Sequence, residues 1–371
     1  MNLNLSAPLN SVSLGAVTYN ILKELYNRGI SPNYFPIGGV DLASFSKAPQ
    51  DFQFYLQSCA NKALKNYKKE YPCFKVWHIN GSEQSFSEKQ TVLTFLETDR
   101  ATEHEVNILN NQASTLVTSS FTKKVMEDYG VKNVAHCPLG FDSENYSKLN
   151  NPHPYQKAAV VHGIFGKIEL RKRSAKTLAL WAKLYGNNPK HRLNVHVYNP
   201  FLAQDPNQCS QANLQQIQQA LEGKQYWNIN IINSYLKTST ELNNLYNSTD
   251  ICIDLSPNEN WSLPSFNCAA IGKHLVAVQS NGVADWANDK NAVLVKPSGT
   301  IPASDGRFFH PGQPFSQGNF FDYNEDEAAE AIKKAVERYQ SNPINEEGLK
   351  LQEDFSWKKT VDIILETINK N

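Results

Sequence analysis

Short apolar runs rich in β-branched and aromatic residues alternate with longer amphipathic segments from one end of this 371-residue chain to the other. Such runs read as buried parallel strands, and the segments between them as the crossover helices that parallel pairing requires. The first half reads as strands near 3–5, 33–37, 75–79, 91–96, 115–118 and 133–137, with helices at 16–27, 52–67, 103–111 and 120–129. The stretch 143–157, SENYSKLNNPHPYQK, is polar and proline-containing and reads as a linker, after which a new strand starts at 158–162. Further strands are expected at 193–198, 229–232, 251–255, 275–278 and 292–295, with helices at 174–185, 214–221, 239–246 and 265–271. Between 297 and 323 the pattern lapses into Gly, Pro, Ser and aromatic residues, which reads as a long functional loop. Helices at 326–340 and in the closing FSWKKTVDIILETINK complete the chain.

The expected fold class is α/β, with two Rossmann-like doubly wound domains in tandem. The length also exceeds what one core usually organises, so a ligand cleft between two domains is expected. Lys plus Arg and Asp plus Glu both number 36, so no net field draws the chain to nucleic acid or an anionic membrane, and anion binding must be local. The six cysteines lack C-x-x-C spacing and read as buried free thiols, which points to a reducing cytoplasm. No stretch of about 18 apolar residues suggests a membrane span, and the amino terminus lacks the pattern of a signal peptide.

Ligands of open α/β sheets sit beyond the carboxyl ends of the strands, where loop amides and helix amino termini meet phosphate. Ser13-Leu14-Gly15 comes after the opening strand, and Gly15 would permit close approach to a diphosphate or serve as a plain turn glycine. GIFGKIELRKRS places Lys167, Arg171, Lys172 and Arg173 at a strand-to-helix junction, either a clamp for a diphosphate leaving group or a solvated basic loop. ENWSLPSFN comes after the strand ICIDL and leads into a helix, and the Glu259 carboxylate suits sugar hydroxyls unless it is ordinary surface. His78 and His162 end strands, and Trp77, Trp261 and Trp286 offer rings for sugar stacking or for a core. Nothing reads as a hydrolase carboxylate pair, a metal-ligand cluster or a strand followed by G-x-G-x-x-G, which disfavours hydrolases, metal dependence and NAD enzymes.

At these residues the chain resembles the retaining glycosyltransferases of family 4, which have the two-domain GT-B fold. Their acidic motif E-G-F-G-L-P-x-x-E is similar to ENWSLPSFN. Downstream of it, AAIGKHLVAVQSNG resembles the family's small residue, glycine and P-V-I-A strand, with Asn281-Gly282 where a Gly-Gly pair is usual. FGKIELRKRS resembles G-R-x-x-x-x-K-G, HCPLGFD resembles P-x-G-V-D, and FLETDR resembles the F-E-T-D-R of one branch. The resemblance implies a first domain at 1–150 on the acceptor side, a nucleotide-sugar-binding domain at 151–354, and a helix at 355–371 crossing back to the first.

It also implies site roles. Glu259 would bind donor-sugar hydroxyls, Lys167 and Lys172 would hold the diphosphate, and Gly15 would lie against it from the other domain. Asn260, Trp261, Ser262, Leu263 and Arg173 would complete the donor loops, and Glu97 would face the cleft on the acceptor side, as His78 could. Asn267 stands where the family's second glutamate grips ribose.

The implied activity is transfer of a hexose-type sugar, with retention, from a nucleotide-sugar such as a UDP- or GDP-hexose, with no cofactor and no metal. The acceptor is left open among a glycan, a lipid-linked sugar, a protein and a modified DNA base. Alternatives are a nucleotide-sugar epimerase on the same fold and a degenerate sugar-nucleotide-binding protein. On this reading Glu259→Ala abolishes transfer with little change in thermal midpoint, and Lys172→Ala weakens nucleoside diphosphate binding.

Overall fold

The computed structural model describes residues 2–150 and 159–370, so residues 151–157 of the expected linker lie outside the described residues. The first part runs β1 (Asn4–Leu9), α1 (Ser13–Asn27), β2 (Asn33–Val40), α2 (Phe52–Asn66), β3 (Cys73–Val76), β4 (Gln90–Thr94), α3 (Glu103–Asn110), β5 (Ser114–Val117), α4 (Ser120–Asp128) and β6 (Val134–His136). Its six strands are parallel in the order β2-β1-β3-β4-β5-β6. Every residue of β1, β3 and β4 is buried, as strands covered on both faces by helices must be.

The second part runs β7 (Val160–Phe165), α5 (Ser174–Tyr185), β8 (His191–His196), α6 (Pro206–Ala220), β9 (Ile229–Ile231), α7 (Ser239–Asn247), β10 (Ile251–Asp254), α8 (Leu263–Ala270), β11 (His274–Val278), α9 (Val283–Trp286) and β12 (Val293–Val295). Its sheet is also parallel, in the order β12-β11-β10-β7-β8-β9. The chain starts in the middle at β7, winds outward to β9, then returns to lay β10 on the other side of β7. Loops leaving β7 and β10 therefore diverge and open a crevice at their carboxyl ends.

The segment 297–323, read as irregular, carries an antiparallel hairpin of β13 (Pro297–Pro302) and β14 (Asn319–Tyr323). Prolines at both ends of β13 hide the strand pattern, and a segment that buries only Ala303, Phe309, Phe320 and Tyr323 shows little alternation. Helix α6 starts at Pro206, eight residues before the expected 214, because Asp205 caps it by accepting from the amides of Asn207 and Gln208. The chain closes with α10 (Glu325–Ser341), α11 (Glu346–Leu349), α12 (Leu351–Asp354) and α13 (Trp357–Lys370).

Helix α13 lies against the first part. Arg28 of α1 pairs with Asp362 at 2.6 Å, Thr360 donates to the Pro138 carbonyl at 2.7 Å, and the Phe141 amide donates to the Phe355 carbonyl at 3.0 Å. One apolar core runs through both sheets, from Leu5, Phe74 and Leu116 to Cys252, Phe266 and Trp286, and on to Val361 and Ile364 of α13. All six cysteines are buried free thiols. Among the described residues no helix is long and apolar enough to cross a membrane.

Candidate active site

The β7 loop and the β10 loop meet through charge. Glu259, four residues beyond Leu255, is buried, and its Oε1 accepts from Arg171 Nη1 at 2.9 Å, from Ser256 Oγ at 2.9 Å and from Lys172 Nζ. All three contacts fall on Oε1, while Oε2 makes no hydrogen bond among the described residues. Arg171 continues outward: Nη1 also donates to the Asn258 carbonyl at 2.6 Å and pairs with Glu97 at 3.1 Å, and Nη2 pairs with Glu169 at 3.4 Å. Lys167 pairs with Glu169 at 3.4 Å and sits 5.0 Å from the centre of the Phe201 ring. Glu97 belongs to the loop after β4, so its contact with Arg171 crosses between the two sheets.

Burial and these neighbours set the charge states. Burial alone would push the Glu259 carboxyl up, but Arg171 and Lys172 outweigh it and bring it down to about 2. Glu97 goes the other way: desolvation, helped by the nearby Glu259 and Glu169 charges, prevails over Arg171 and raises it above the usual carboxylate range. Burial also lowers Lys167 below a normal lysine. His78, on the loop after β3, is lowered by loss of surrounding water and by the Lys167 charge. No hydrogen bond or ion pair among the described residues joins the His78 ring to Lys167, Arg171 or Lys172.

Three residues that stand where the resembled motifs have glycine share one backbone conformation. Arg173 (φ 54°), Ser262 (φ 58°) and Asn281 (φ 46°) all adopt the left-handed conformation that glycine takes without penalty. Each is tied down by its own side chain. Arg173 pairs with Asp322 of β14 at 2.9 Å, Ser262 donates to Asp254 Oδ2 at 2.5 Å, and Asn281 Oδ1 accepts from Ser119 Oγ at 2.9 Å. Gly282 remains glycine for steric reasons, since a Cβ there would lie 1.8 Å from the Asn260 carbonyl oxygen.

The remaining expected residues fall in different places. Asn260 points to the first sheet: Nδ2 donates to the Leu96 carbonyl at 2.9 Å, and Oδ1 accepts from Thr122 at 2.7 Å. Trp261 is 3% exposed and packs on Phe266 and Phe355, and Trp286 is likewise buried, so both rings serve the core and not a sugar. His162 is fully buried within β7, packed beside Trp181 and the stacked rings of Tyr185 and His191. Leu263 and Asn267 lie in α8, with Asn267 buried one turn in. The space a side chain at Gly15 would need is filled by Asn10, whose carbonyl oxygen lies 2.2 Å from an ideal Cβ, so this glycine lets α1 pack on its own loop.

Sequence reasoning passed over Asp254, which ends β10 and holds Ser262 and Ser265, the latter at 2.7 Å. It also gave no special place to Arg171, the buried cation at the centre of the network; three consecutive cations in a non-periodic loop carry no sign of which one turns inward. Among the described residues no group of three or more His, Cys, Asp or Glu side chains is placed to hold a metal ion.

No family model and no curated protein matches the chain. Solved structures do. Sucrose-phosphate synthase from Thermosynechococcus elongatus is 14% identical with a TM-score of 0.67, over 100% of this chain and 98% of that one. HepE from Anabaena, in complex with UDP-glucose, is 15% identical with a TM-score of 0.65, over 100% of both chains. A UDP-forming α,α-trehalose-phosphate synthase from Burkholderia xenovorans is 10% identical with a TM-score of 0.64, over 99% of this chain and 98% of that one. At such identities what is shared is the fold: the chain is built on the two-domain GT-B architecture of these glycosyltransferases.

Proposed function

We propose that the chain is a retaining glycosyltransferase that moves a hexose-type sugar from a nucleotide-sugar donor to an acceptor. The observation that carries this reading is the meeting of Glu259 with Arg171 and Lys172 where the β7 and β10 loops diverge, on a fold shared with sugar-transferring enzymes. HepE is described with UDP-glucose and the trehalose-phosphate synthase as UDP-forming, which makes a UDP-sugar the first donor to try.

In this reading Lys172 and Lys167 bind the diphosphate and stabilise the charge that develops on it as the glycosidic bond breaks. Glu259, through its free Oε2, accepts from donor-sugar hydroxyls, and the amides at the start of α8 donate to others. Asn267 hydrogen-bonds ribose as a neutral amide, and Glu97 and His78 face the acceptor side. The leaving phosphate takes the acceptor proton on the same face, so retention needs no protein nucleophile. Closing the cleft keeps water from the activated donor.

Asn267 and the ion-paired state of Glu259 favour one second reading, a sugar-nucleotide-binding protein without turnover. Thermal-shift screening against UDP-, GDP- and ADP-sugars, followed by assay of nucleoside diphosphate release in the parent and Glu259→Gln, separates the two. Release that depends on Glu259 supports the transferase. Binding without release in any acceptor screen supports the second reading, and C2 epimerisation without acceptor would point to an epimerase. A chain that binds none of the sugars overturns the proposal.

A further inference from the structure

The cross-cleft cluster is balanced before any ligand arrives. Lys167, Arg171 and Lys172 face Glu97, Glu169 and Glu259, and five of these six side chains come from the second part while Glu97 alone reaches in from the first. Asp254, at the end of β10, has its carboxylate taken up by the hydroxyls of Ser262 and Ser265 and the amide of Ser256. A nucleotide-sugar carries a diphosphate diester with two negative charges, so its arrival leaves a poorly hydrated site with uncompensated negative charge. Such an imbalance is costly at low dielectric and is relieved when a nearby group changes protonation.

Geometry singles out the group that yields. Glu259 is anchored by three donors, two of them cations, and Glu169 is 7% exposed and shared by Lys167 and Arg171. Glu97 has a single cationic contact, with Arg171 at 3.1 Å, and its side chain is 31% exposed, so a proton can reach it from water. Facing it are Arg171, Lys172 and Lys167 of the β7 loop, with Glu169 of the same loop and Glu259 of the β10 loop.

We propose that Glu97 compensates the charge of the donor: the diphosphate displaces its carboxylate from Arg171, and Glu97 takes up one proton from solvent as it leaves. The Arg171 N–H to Glu97 contact breaks, an Arg171 N–H to phosphate oxygen contact forms, and the carboxylate becomes a neutral acid. Arg171 is then a third cation of the diphosphate clamp, available only when Glu97 releases it. The desolvation that already holds Glu97 above the usual carboxylate range fits this role. The inference rests on the nucleotide-sugar reading of the site.

Isothermal titration tests it, because a nucleotide-sugar has no phosphate group titrating near neutrality and any proton exchanged belongs to the protein. UDP-glucose, or ADP-glucose or GDP-mannose if one of those binds instead, is titrated at pH 7.5 in phosphate, HEPES and Tris. The slope of observed heat against buffer ionisation heat should report uptake approaching about one proton per donor, with affinity weakening by up to about tenfold per pH unit as pH rises. Glu97→Gln should remove most of that uptake and flatten the pH dependence, while Glu97→Asp retains it. Binding to the parent without proton uptake overturns the inference whatever the variants do, as does unchanged uptake in a folded Glu97→Gln. No binding of any donor overturns the nucleotide-sugar reading itself, and this inference with it.

Discussion

Taking away the Glu259 carboxylate would leave Arg171 and Lys172 as neighbouring cations in a buried site, with only Glu97, Glu169 and the Asn258 carbonyl to satisfy them. Breaking a buried ion pair from one side typically costs about 3–5 kcal/mol. The remaining partners soften that here, so Glu259→Ala should lose about 2–3 kcal/mol as well as sugar transfer. This replaces the sequence-based expectation of little change in midpoint, because Glu259 is buried against two cations. Differential scanning calorimetry reads the difference, and an unshifted midpoint would mean that the cations re-pair without Glu259. Ser262 poses a separate test at the same scale. Its left-handed backbone costs a non-glycine residue about 1–2 kcal/mol, and the bond to Asp254 returns about 1 kcal/mol. Ser262→Gly should therefore be close to neutral in urea denaturation. Ser262→Ala keeps the strain, loses the bond, and should fall by about 1–2 kcal/mol; a variant as stable as the parent would show that Asp254 does not hold this turn.

At the scale of elements, the hairpin of β13 and β14 links loops that belong to both sheets. Asp99 accepts from the Asn319 amide at 2.7 Å and from its side chain at 3.0 Å, and the Pro314 carbonyl accepts from Thr102 at 2.6 Å. Asn258, next to Glu259, bonds the Phe321 amide at 2.8 Å and its carbonyl at 3.2 Å, while Asp322 holds Arg173 and Lys176. The arm thus touches the loops bearing Glu97, Glu259 and Lys172. Asp99→Ala should leave the two sheets intact, accelerate proteolysis within 303–318, and weaken donor binding about three- to tenfold, or about 0.7–1.4 kcal/mol. Unchanged protease sensitivity and affinity would reduce the arm to decoration. The arm is also where sequence reading failed most, because its strands bury few side chains and show no period. The twelve strands of the two sheets were legible, since parallel strands are nearly continuous apolar runs. Within the site, Glu259 and Lys172 were reachable through the family motif, whereas Arg171 and Asp254 depend on long-range contacts that leave no local pattern.

For the molecule as a whole, the question is whether two sheets with separate topologies unfold separately. The packing argues that they do not. Trp261 sits in the second part with its ring 5.3 Å from those of Phe266 and Phe355, and Phe266 in turn faces Phe141 of the first part at 6.4 Å. Its carbonyl accepts from Trp286 Nε1 at 2.9 Å, and the adjoining Asn260 carbonyl accepts from Thr118 of the first part at 3.0 Å. The loop after β10 and the seam between the domains are therefore one stretch of chain, so a residue that looks like a sugar-stacking aromatic in the sequence serves interdomain packing in the fold. Calorimetry of the parent should show a single cooperative transition. Trp261→Ala, which opens a cavity at that seam, should cost about 3–5 kcal/mol and split the transition into two or broaden it, because the domains lose the contact that couples their cores. Two resolved transitions already present in the parent would refute the coupling. A narrow, unsplit transition at a lower midpoint in Trp261→Ala would locate the coupling in α13 and its contacts with Pro138 and Phe141 instead.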